Sequence, residues 1–260
     1  MKSEKLIFDR SFYFMCLLVI FTGRYTEWVI FMISIFFHEC GHILMAKVLK
    51  WELKEVRVFG FGGFMQFTGE LNKSNREDLL ISMSGIAVNI LILCLLCLIP
   101  KQFLTIRNLR LQNMFIQAQL FIIVYNLIPL PPLDGNRILI NLLSMIFPYK
   151  RVLKLNSWIS FIILGAILCL TFYYDFRQYY MAIGYVLFST IKFVKQAPYL
   201  YQRFILQKVN AKNTGLSTKT STLINEDWES VIYKGYNNQF FIRNKKYDEQ
   251  KLLKVKYEQI

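Results

Sequence analysis

Two histidines and a glutamate stand together in the apolar stretch FFHECGHIL, residues 36–44. His38 and His42 are the only histidines among the 260 residues of the chain. Residues four apart share one face of a helix, so both imidazoles can bind a single metal ion. Glu39 lies beside that face, close enough to reach a water at the ion. The pattern predicts hydrolytic chemistry, in which Zn²⁺ lowers the pKa of a water and the carboxylate accepts its proton.

The position of these side chains favours a functional site over a pair of histidines that only satisfy hydrogen bonds. The run from Trp28 to Leu49 is apolar enough to predict a helix that crosses a membrane. At about 1.5 Å per residue, Glu39 would lie about 16 Å along a span of about 30 Å. Ionisable groups at that depth are costly unless they face a cavity or a partner. The stretch therefore predicts a metal centre inside the membrane.

The composition indicates a membrane protein. Hydrophobic residues make up 55% of the sequence and aromatic residues 16%, and the mean hydropathy is +0.35, which is too apolar for an ordinary soluble domain. We predict an α-helical polytopic membrane protein with about six transmembrane helices. The predicted spans cover residues 11–23, 28–49, 79–99, 111–128, 158–174 and 179–195.

The net charge of +14 reflects topology rather than nucleic-acid binding. Lysines and arginines concentrate before the first span, after the second and fourth spans, and after the sixth. By the positive-inside rule, both termini of this multi-pass protein of the cell membrane are cytosolic. The basic tail can also contact anionic lipid. We therefore expect the lipid bilayer as a partner and no nucleic acid.

Two segments outside the spans have their own structure. Residues 54–70, KEVRVFGFGGFMQFTGE, mix β-branched and aromatic residues with glycines and predict a small β-hairpin after the second helix. We predict a linker at residues 199–222, in which residues 199–209 form a short helix and residues 210–222 are a polar stretch. Residues 223–260 contain the strand-like QFFIRN and the helix-like DEQKLLKVKY, and they predict a short cytosolic C-terminal domain. Residues 1–198 would then form the membrane domain.

A catalytic zinc site needs a third protein ligand. Cys40 is two residues from each histidine and points away from their shared face. The remaining candidate is Asp134 in NLIPLPPLDGNR, residues 126–137, where three prolines break a helix within the membrane. A proline followed by Asp-Gly is also common in turns. The spacing alone leaves both interpretations open, a metal ligand and a cytosolic turn.

The paired motifs resemble those of a known family. HECGH in the second span, together with NLIPLPPLDG at residues 126–135, resembles the site-2 protease family of intramembrane zinc metalloproteases. SGIAVN at residues 84–89 is similar to a third motif of that family, with Ile86 in place of the usual proline. The short form with basic cytosolic ends most resembles the stage IV sporulation protease branch of endospore-forming bacteria. The resemblance covers about residues 1–200.

The resemblance implies a role for each candidate residue. His38, His42 and Asp134 would bind Zn²⁺, Glu39 would be the general base, and Asn126 would help to hold the substrate or the oxyanion. Residues 1–198 would be the protease domain of a metalloendopeptidase that cleaves a membrane-associated protein. The sporulation branch implies a sigma-factor precursor as substrate, regulatory membrane proteins that inhibit the enzyme, and a location in the outer membrane of the forespore.

Two departures and two alternatives accompany this resemblance. Asn136 stands where family members usually have a second glycine, and a side chain there would narrow or reshape the cleft. Residues 223–260 are a candidate remnant of a CBS domain, too short to carry a clear nucleotide-binding motif. The alternatives are an inactive membrane protein that binds a client and a metal transporter. The intact HECGH motif disfavours the first, and polar groups that converge on one site disfavour the second.

Overall fold

A computed structural model describes residues 5–59, 62–67, 70–100, 105–173, 180–210, 216–223, 228–242 and 245–257. The chain divides into two compact units. The first unit comprises Met1–Thr68 and Leu80–Ile128, and the second comprises Gly69–Leu79 and Pro129–Ile260.

Apolar helices and one small sheet make up the first unit. The helices are α1 (Arg10–Thr22), α2 (Tyr25–Val48), all but the first turn of α3 (Asn75–Leu98), and α4 (Ile106–Leu127). The strands are β1 (Lys5–Phe8), β2 (Leu53–Phe59) and β3 (Gly62–Phe67). Strand β2 pairs in parallel with β1 and antiparallel with β3. This pairing confirms the predicted hairpin, although residues 60, 61, 68 and 69 of that prediction lie outside the described residues.

Helix α2 ends in a Schellman motif. The backbone N–H of Trp51 donates to the carbonyl oxygen of Ala46 at 2.8 Å, and that of Lys50 donates to Lys47 at 3.1 Å. Lys50 takes the left-handed conformation that this cap requires, with φ 56°. The turn directs Trp51 back onto the unit, where its ring packs edge-on against Phe67 at 5.5 Å between centroids. The cap therefore fixes the point at which the chain leaves α2 for the sheet.

Polar and aromatic contacts join α2 to α4. The side-chain amide of Gln119 donates to the hydroxyl of Ser34 at 3.0 Å, and both side chains are buried. The rings of Phe31 and Phe121 lie 5.9 Å apart. Interhelical hydrogen bonds of this kind help to hold helices together in lipid, where the hydrophobic effect contributes little to their association.

The second unit combines three helices with the C-terminal segment. Its helices are α5 (Asp134–Ile146), α6 (Tyr149–Tyr173), α7 (Tyr180–Val209) and the short C-terminal α8 (Glu249–Tyr257). Its strands are β4 (Thr218–Leu223), β5 (Asn237–Ile242) and β6 (Lys245–Asp248). Strand β5 pairs in parallel with β4 and antiparallel with β6. The strand and helix predicted in the C-terminal segment correspond to β5 and α8, while residues 243 and 244 lie outside the described residues.

The C-terminal segment shares one core with α6 and α7. Phe204 of α7, Phe240 of β5 and Leu253 of α8 are fully buried in the same cluster. The backbone N–H of Tyr149, at the start of α6, donates to the carbonyl oxygen of Ile232 at 2.9 Å. A segment of this size buries little apolar surface alone. Its stability therefore depends on the helices on which it packs.

Helix α7 continues through Pro198 to Val209. The separate short helix predicted at residues 199–209 is thus the end of a longer one. Proline removes one backbone hydrogen bond, whereas Phe204 and Ile205 beyond it are buried in the core and hold the last turns in place. The rest of the predicted linker contains the start of β4, and its residues 211–215 lie outside the described residues. The division into segments 1–198, 199–222 and 223–260 stays a prediction.

Among the described residues, three helices are long and apolar enough to cross a membrane, namely α2, α3 and residues Tyr149–Thr171 of α6. The count of six spans stays a prediction. Helix α5 has the burial pattern of a helix in an apolar solvent, because it buries Asn136, Asn141 and Ser144 while Leu142 and Ile146 are exposed. A helix on the surface of a soluble protein shows the opposite pattern. These features describe a mostly helical membrane protein with small sheets.

The shared core predicts a position-specific effect on stability. Replacing Phe240 by alanine removes a fully buried ring and should lower the free energy of unfolding by about 3–5 kcal/mol. Phe241 is the matched control, because its neighbouring position on β5 faces the other side and is 37% exposed. Thermal unfolding of the full chain in detergent measures both variants. Equal losses for Phe240→Ala and Phe241→Ala would contradict the shared core.

Candidate metal centre

The two histidines meet on one face of α2. His38 and His42 are both buried, with 3% and 6% of their surface exposed. Their Nε2 atoms lie 3.2 Å apart. The i, i+4 spacing produces this approach, because the two side chains follow each other along one side of the helix. The structure thus brings together the first two ligands predicted from the sequence.

A hydrogen bond fixes the tautomer of His42. Its Nδ1 lies 2.7 Å from the carbonyl oxygen of Ile81 on α3. A carbonyl oxygen only accepts, so Nδ1 carries the proton and donates it. The Nε2 lone pair is then available for a metal ion. The hydroxyl of Ser84 donates to the same carbonyl oxygen at 2.6 Å. Metal-binding histidines commonly donate their second ring N–H in this way, which fixes the orientation of the ring.

The separation of the two nitrogens suits zinc. With zinc–nitrogen bonds of about 2.0–2.1 Å and a tetrahedral angle, two imidazole nitrogens on one ion lie about 3.3 Å apart. The measured separation is 3.2 Å. When no ion is bound, the same separation allows a hydrogen bond between the rings. The tautomer of His42 is compatible with both states. Its unprotonated Nε2 can bind a metal ion, or it can accept a hydrogen bond from His38.

Two glycines permit the close approach of α2 and α3. A Cβ atom at Gly85 would lie 2.4 Å from Nε2 of His42 and 2.8 Å from Cε1 of His38. A Cβ atom at Gly41 would lie 2.7 Å from the carbonyl oxygen of Ser84. Neither position has room for a side chain. Small residues at helix contacts are typical of membrane proteins, because they let the backbones come together.

The other predicted residues occupy three different elements. Glu39 follows His38 on α2 and is half-buried. Asn126 lies near the end of α4, where its amide donates to the carbonyl oxygen of Ile122 at 3.1 Å. Asp134 belongs to the second unit, as the half-buried first residue of α5. Asn136, which replaces a usual glycine, is 7% exposed on the same helix. The roles assigned to these residues stay predictions.

Sequence reasoning did not single out Gly41 or the environment of Asn89. Asn89 lies one turn beyond Gly85 on α3 and is fully buried. Neither atom of its amide has a hydrogen-bond partner in the part of the chain that the structure describes. A buried amide of this kind requires an explanation, such as a bound water or a substrate group. The sequence holds a signal for each residue. Gly41 is a small residue within an apolar helix, and Asn89 is the polar end of the SGxxxN pattern in the next one.

Comparisons with known proteins find a matching family model, a sequence relative and a similar solved structure. The sequence model described as Peptidase family M50 matches residues 26–105, which include HECGH and SGIAVN. Stage IV sporulation protein FB of Bacillus subtilis (strain 168) is 23% identical over 197 residues, covering 75% of this chain and 68% of that protein. The solved Site-2 Protease from Methanocaldococcus jannaschii is similar in fold, with a TM-score of 0.57 and 19% identity, over 75% of this chain and 92% of the other.

Together, the matches support a protein of the site-2 protease family and confirm the resemblance carried by the paired motifs. They indicate a metalloprotease of the membrane.

The tight contact at Gly85 predicts that one methyl group disrupts the metal centre. Gly85→Ala places a Cβ against both imidazoles and should weaken zinc binding by about 10- to 100-fold. Gly165→Ala is the control, because a Cβ there meets no atom within 4 Å and should leave zinc affinity unchanged. Competition for zinc with a chelator measures both variants. Wild-type affinity in Gly85→Ala would contradict the described packing.

Proposed function

We propose that this chain is an intramembrane zinc metalloprotease. The observation that carries the proposal is the buried histidine pair, with Nε2 atoms 3.2 Å apart and the tautomer of His42 set by Ile81. A third ligand, Asp134, completes the protein ligand set, as the family resemblance implies, and leaves the fourth position open for chemistry. A zinc ion held by these residues would supply Lewis-acid chemistry, polarising the scissile carbonyl and lowering the pKa of the attacking water.

Glu39 and Asn126 carry out the remaining steps of peptide hydrolysis. Glu39 accepts the proton of the attacking water and delivers it to the amine that leaves, so the same carboxylate acts first as base and then as acid. Asn126 holds the substrate backbone or the oxyanion by donating from its amide. The amide nitrogen carries two hydrogens, so it can donate to the substrate while it keeps its bond to Ile122.

The substrate must expose its backbone, because the carbonyl groups of an intact helix are engaged in internal hydrogen bonds. Strand β3 offers a place for an extended segment. In the described part of the sheet β2 is its only neighbour, which leaves the other edge of β3 open. An extended peptide can add to such an edge as a further strand.

The sporulation relative supports a narrower proposal. We place the chain in the outer membrane of a forespore, where it cleaves a membrane-associated sigma-factor precursor and is inhibited by regulatory membrane proteins. The two alternatives, an inactive client-binding protein and a metal transporter, predict no cleavage of such a precursor.

The roles of base and ligand can be separated by substitution. Glu39→Gln removes the base but no ligand, so it should abolish cleavage of a co-expressed sigma-factor precursor while zinc remains near one per chain. His38→Ala and Asp134→Ala each remove a ligand and should lose both. Immunoblotting of the precursor and zinc analysis of the purified protein provide the two measurements. Cleavage at the wild-type rate by Glu39→Gln would refute the mechanism, and full zinc occupancy in Asp134→Ala would refute the ligand set.

The charge distribution gives a topological prediction. Both termini and the segment between α2 and α3 should be cytosolic, because they carry most of the positive charge. Cysteines placed at Ser74 and Ser217 in a cysteine-free background should resist a membrane-impermeant thiol reagent in intact cells and react after the membrane is opened. Labelling of either position in intact cells would contradict the six-span arrangement.

A further inference from the structure

A buried carboxylate in the second unit binds two basic side chains. Asp78, in the first turn of α3, is 3% exposed. Its Oδ1 accepts from Nε of Arg137 at 2.6 Å, and its Oδ2 accepts from Nζ of Lys234 at 2.8 Å. Lys234 is itself 4% exposed. Buried charges persist only when they are paired and hydrogen-bonded, so this arrangement defines the position of each group within narrow limits.

The network holds α5 at two points. Arg137 lies in the first turn of α5 and contacts Asp78 directly. Asn141, two turns from the start of the helix and fully buried, accepts from Nζ of Lys234 at 2.8 Å. Two attachments on successive turns prevent the helix from rotating or sliding as a whole. Both attachments depend on the same pair, Asp78 and Lys234.

The backbone around Lys234 is fixed as firmly as its side chain. Its carbonyl oxygen accepts from the side-chain amide of Asn75 at 2.8 Å. The next residue, Gly235, has φ +74°, and a Cβ there would lie 2.8 Å from the backbone nitrogen of Asn75. Only glycine fits this combination of left-handed backbone and close approach. The turn at residues 234 and 235 therefore locks the C-terminal segment to the start of α3.

We infer that Lys234, together with Asp78 and Arg137, is a positioning group for Asp134. Asp134 is the first residue of α5, one turn before Arg137, so the attachment that fixes Arg137 also fixes the turn that carries the proposed ligand. Groups that orient a metal ligand affect metal affinity without touching the ion. The C-terminal segment thereby contributes to the metal centre through a single turn. This inference rests on the proposed function.

Zinc affinity distinguishes positioning from a general contribution to stability. Lys234→Met keeps much of the side-chain volume and removes the charge, and it should weaken zinc binding by about 10- to 100-fold. Lys208→Met is the matched control. Lys208 is also 4% exposed and anchors the C-terminal segment, through Glu249 and the carbonyl oxygen of Tyr236. Both variants should lower the melting temperature. Lys208→Met should nevertheless stay within about twofold of wild-type zinc affinity, because Lys208 bonds Glu249 and Tyr236 rather than Asp78 or α5.

A second pair of variants covers the case in which Lys234→Met does not fold. The side chain of Arg137 is 29% exposed, so Arg137→Met is the milder change, and it should also weaken zinc binding by about tenfold. Arg137→Lys retains the positive charge and should recover most of the affinity. The measurements use the full chain in lipid nanodiscs, with a chelator competing for zinc.

The outcomes separate this inference from the proposed function. Wild-type protein that binds no zinc, or Asp134→Ala that binds it normally, would refute the proposed function. Normal zinc affinity in Lys234→Met and Arg137→Met, with the wild type and Asp134→Ala behaving as proposed, would overturn the positioning role alone. Equal losses in Lys234→Met and Lys208→Met would overturn it as well, because they would reflect stability in general.

Discussion

The hydrogen bond from His42 to the carbonyl oxygen of Ile81 is the interaction on which the candidate metal centre depends. It sets the tautomer of the ring, so that Nε2 faces His38, and it joins α2 to α3. The bond forms only because the two helices approach closely, and that approach requires glycine at positions 41 and 85. A polar pair at this depth in an apolar helix would otherwise be strongly unfavourable. Helix packing and metal chemistry are thus specified by the same few residues.

A comparable constraint governs the second unit. Asp78 and Lys234 are buried, and the carboxylate of Asp78 pairs with both Lys234 and the partly exposed Arg137, which ties the turn after Ile232 to α5 and to the start of α3. The C-terminal segment lacks the apolar surface for an independent core and completes one with α6 and α7. The segment therefore packs as part of the second unit, and Lys234 attaches it to α5 and to the start of α3.

Local patterns in the sequence predicted the parts of the structure that depend on local physics. The spacing in HECGH placed both imidazoles on one face, and the mixture of β-branched and aromatic residues with glycines predicted the β2–β3 hairpin. Contacts between distant residues were beyond such reasoning. Lys234 pairs with a residue 156 positions away, and a lysine in a basic tail gives no sign of burial. The course of α7 through Pro198 also depends on tertiary packing, which outweighs the local effect of proline. Asp134 remains a prediction carried by the family motif.

Zinc K-edge X-ray absorption of the purified, zinc-loaded protein reports the identity and distance of the zinc ligands. Binding by His38, His42 and Asp134 predicts two imidazole ligands with zinc–nitrogen distances of about 2.0–2.1 Å and oxygen ligands at about 2.0–2.2 Å, with no sulfur. The His42→Ala protein, if it retains zinc, should show one imidazole fewer. A sulfur ligand at about 2.3 Å, or a wild-type spectrum with fewer than two imidazoles, would contradict the assignment of His38, His42 and Asp134 as the metal centre.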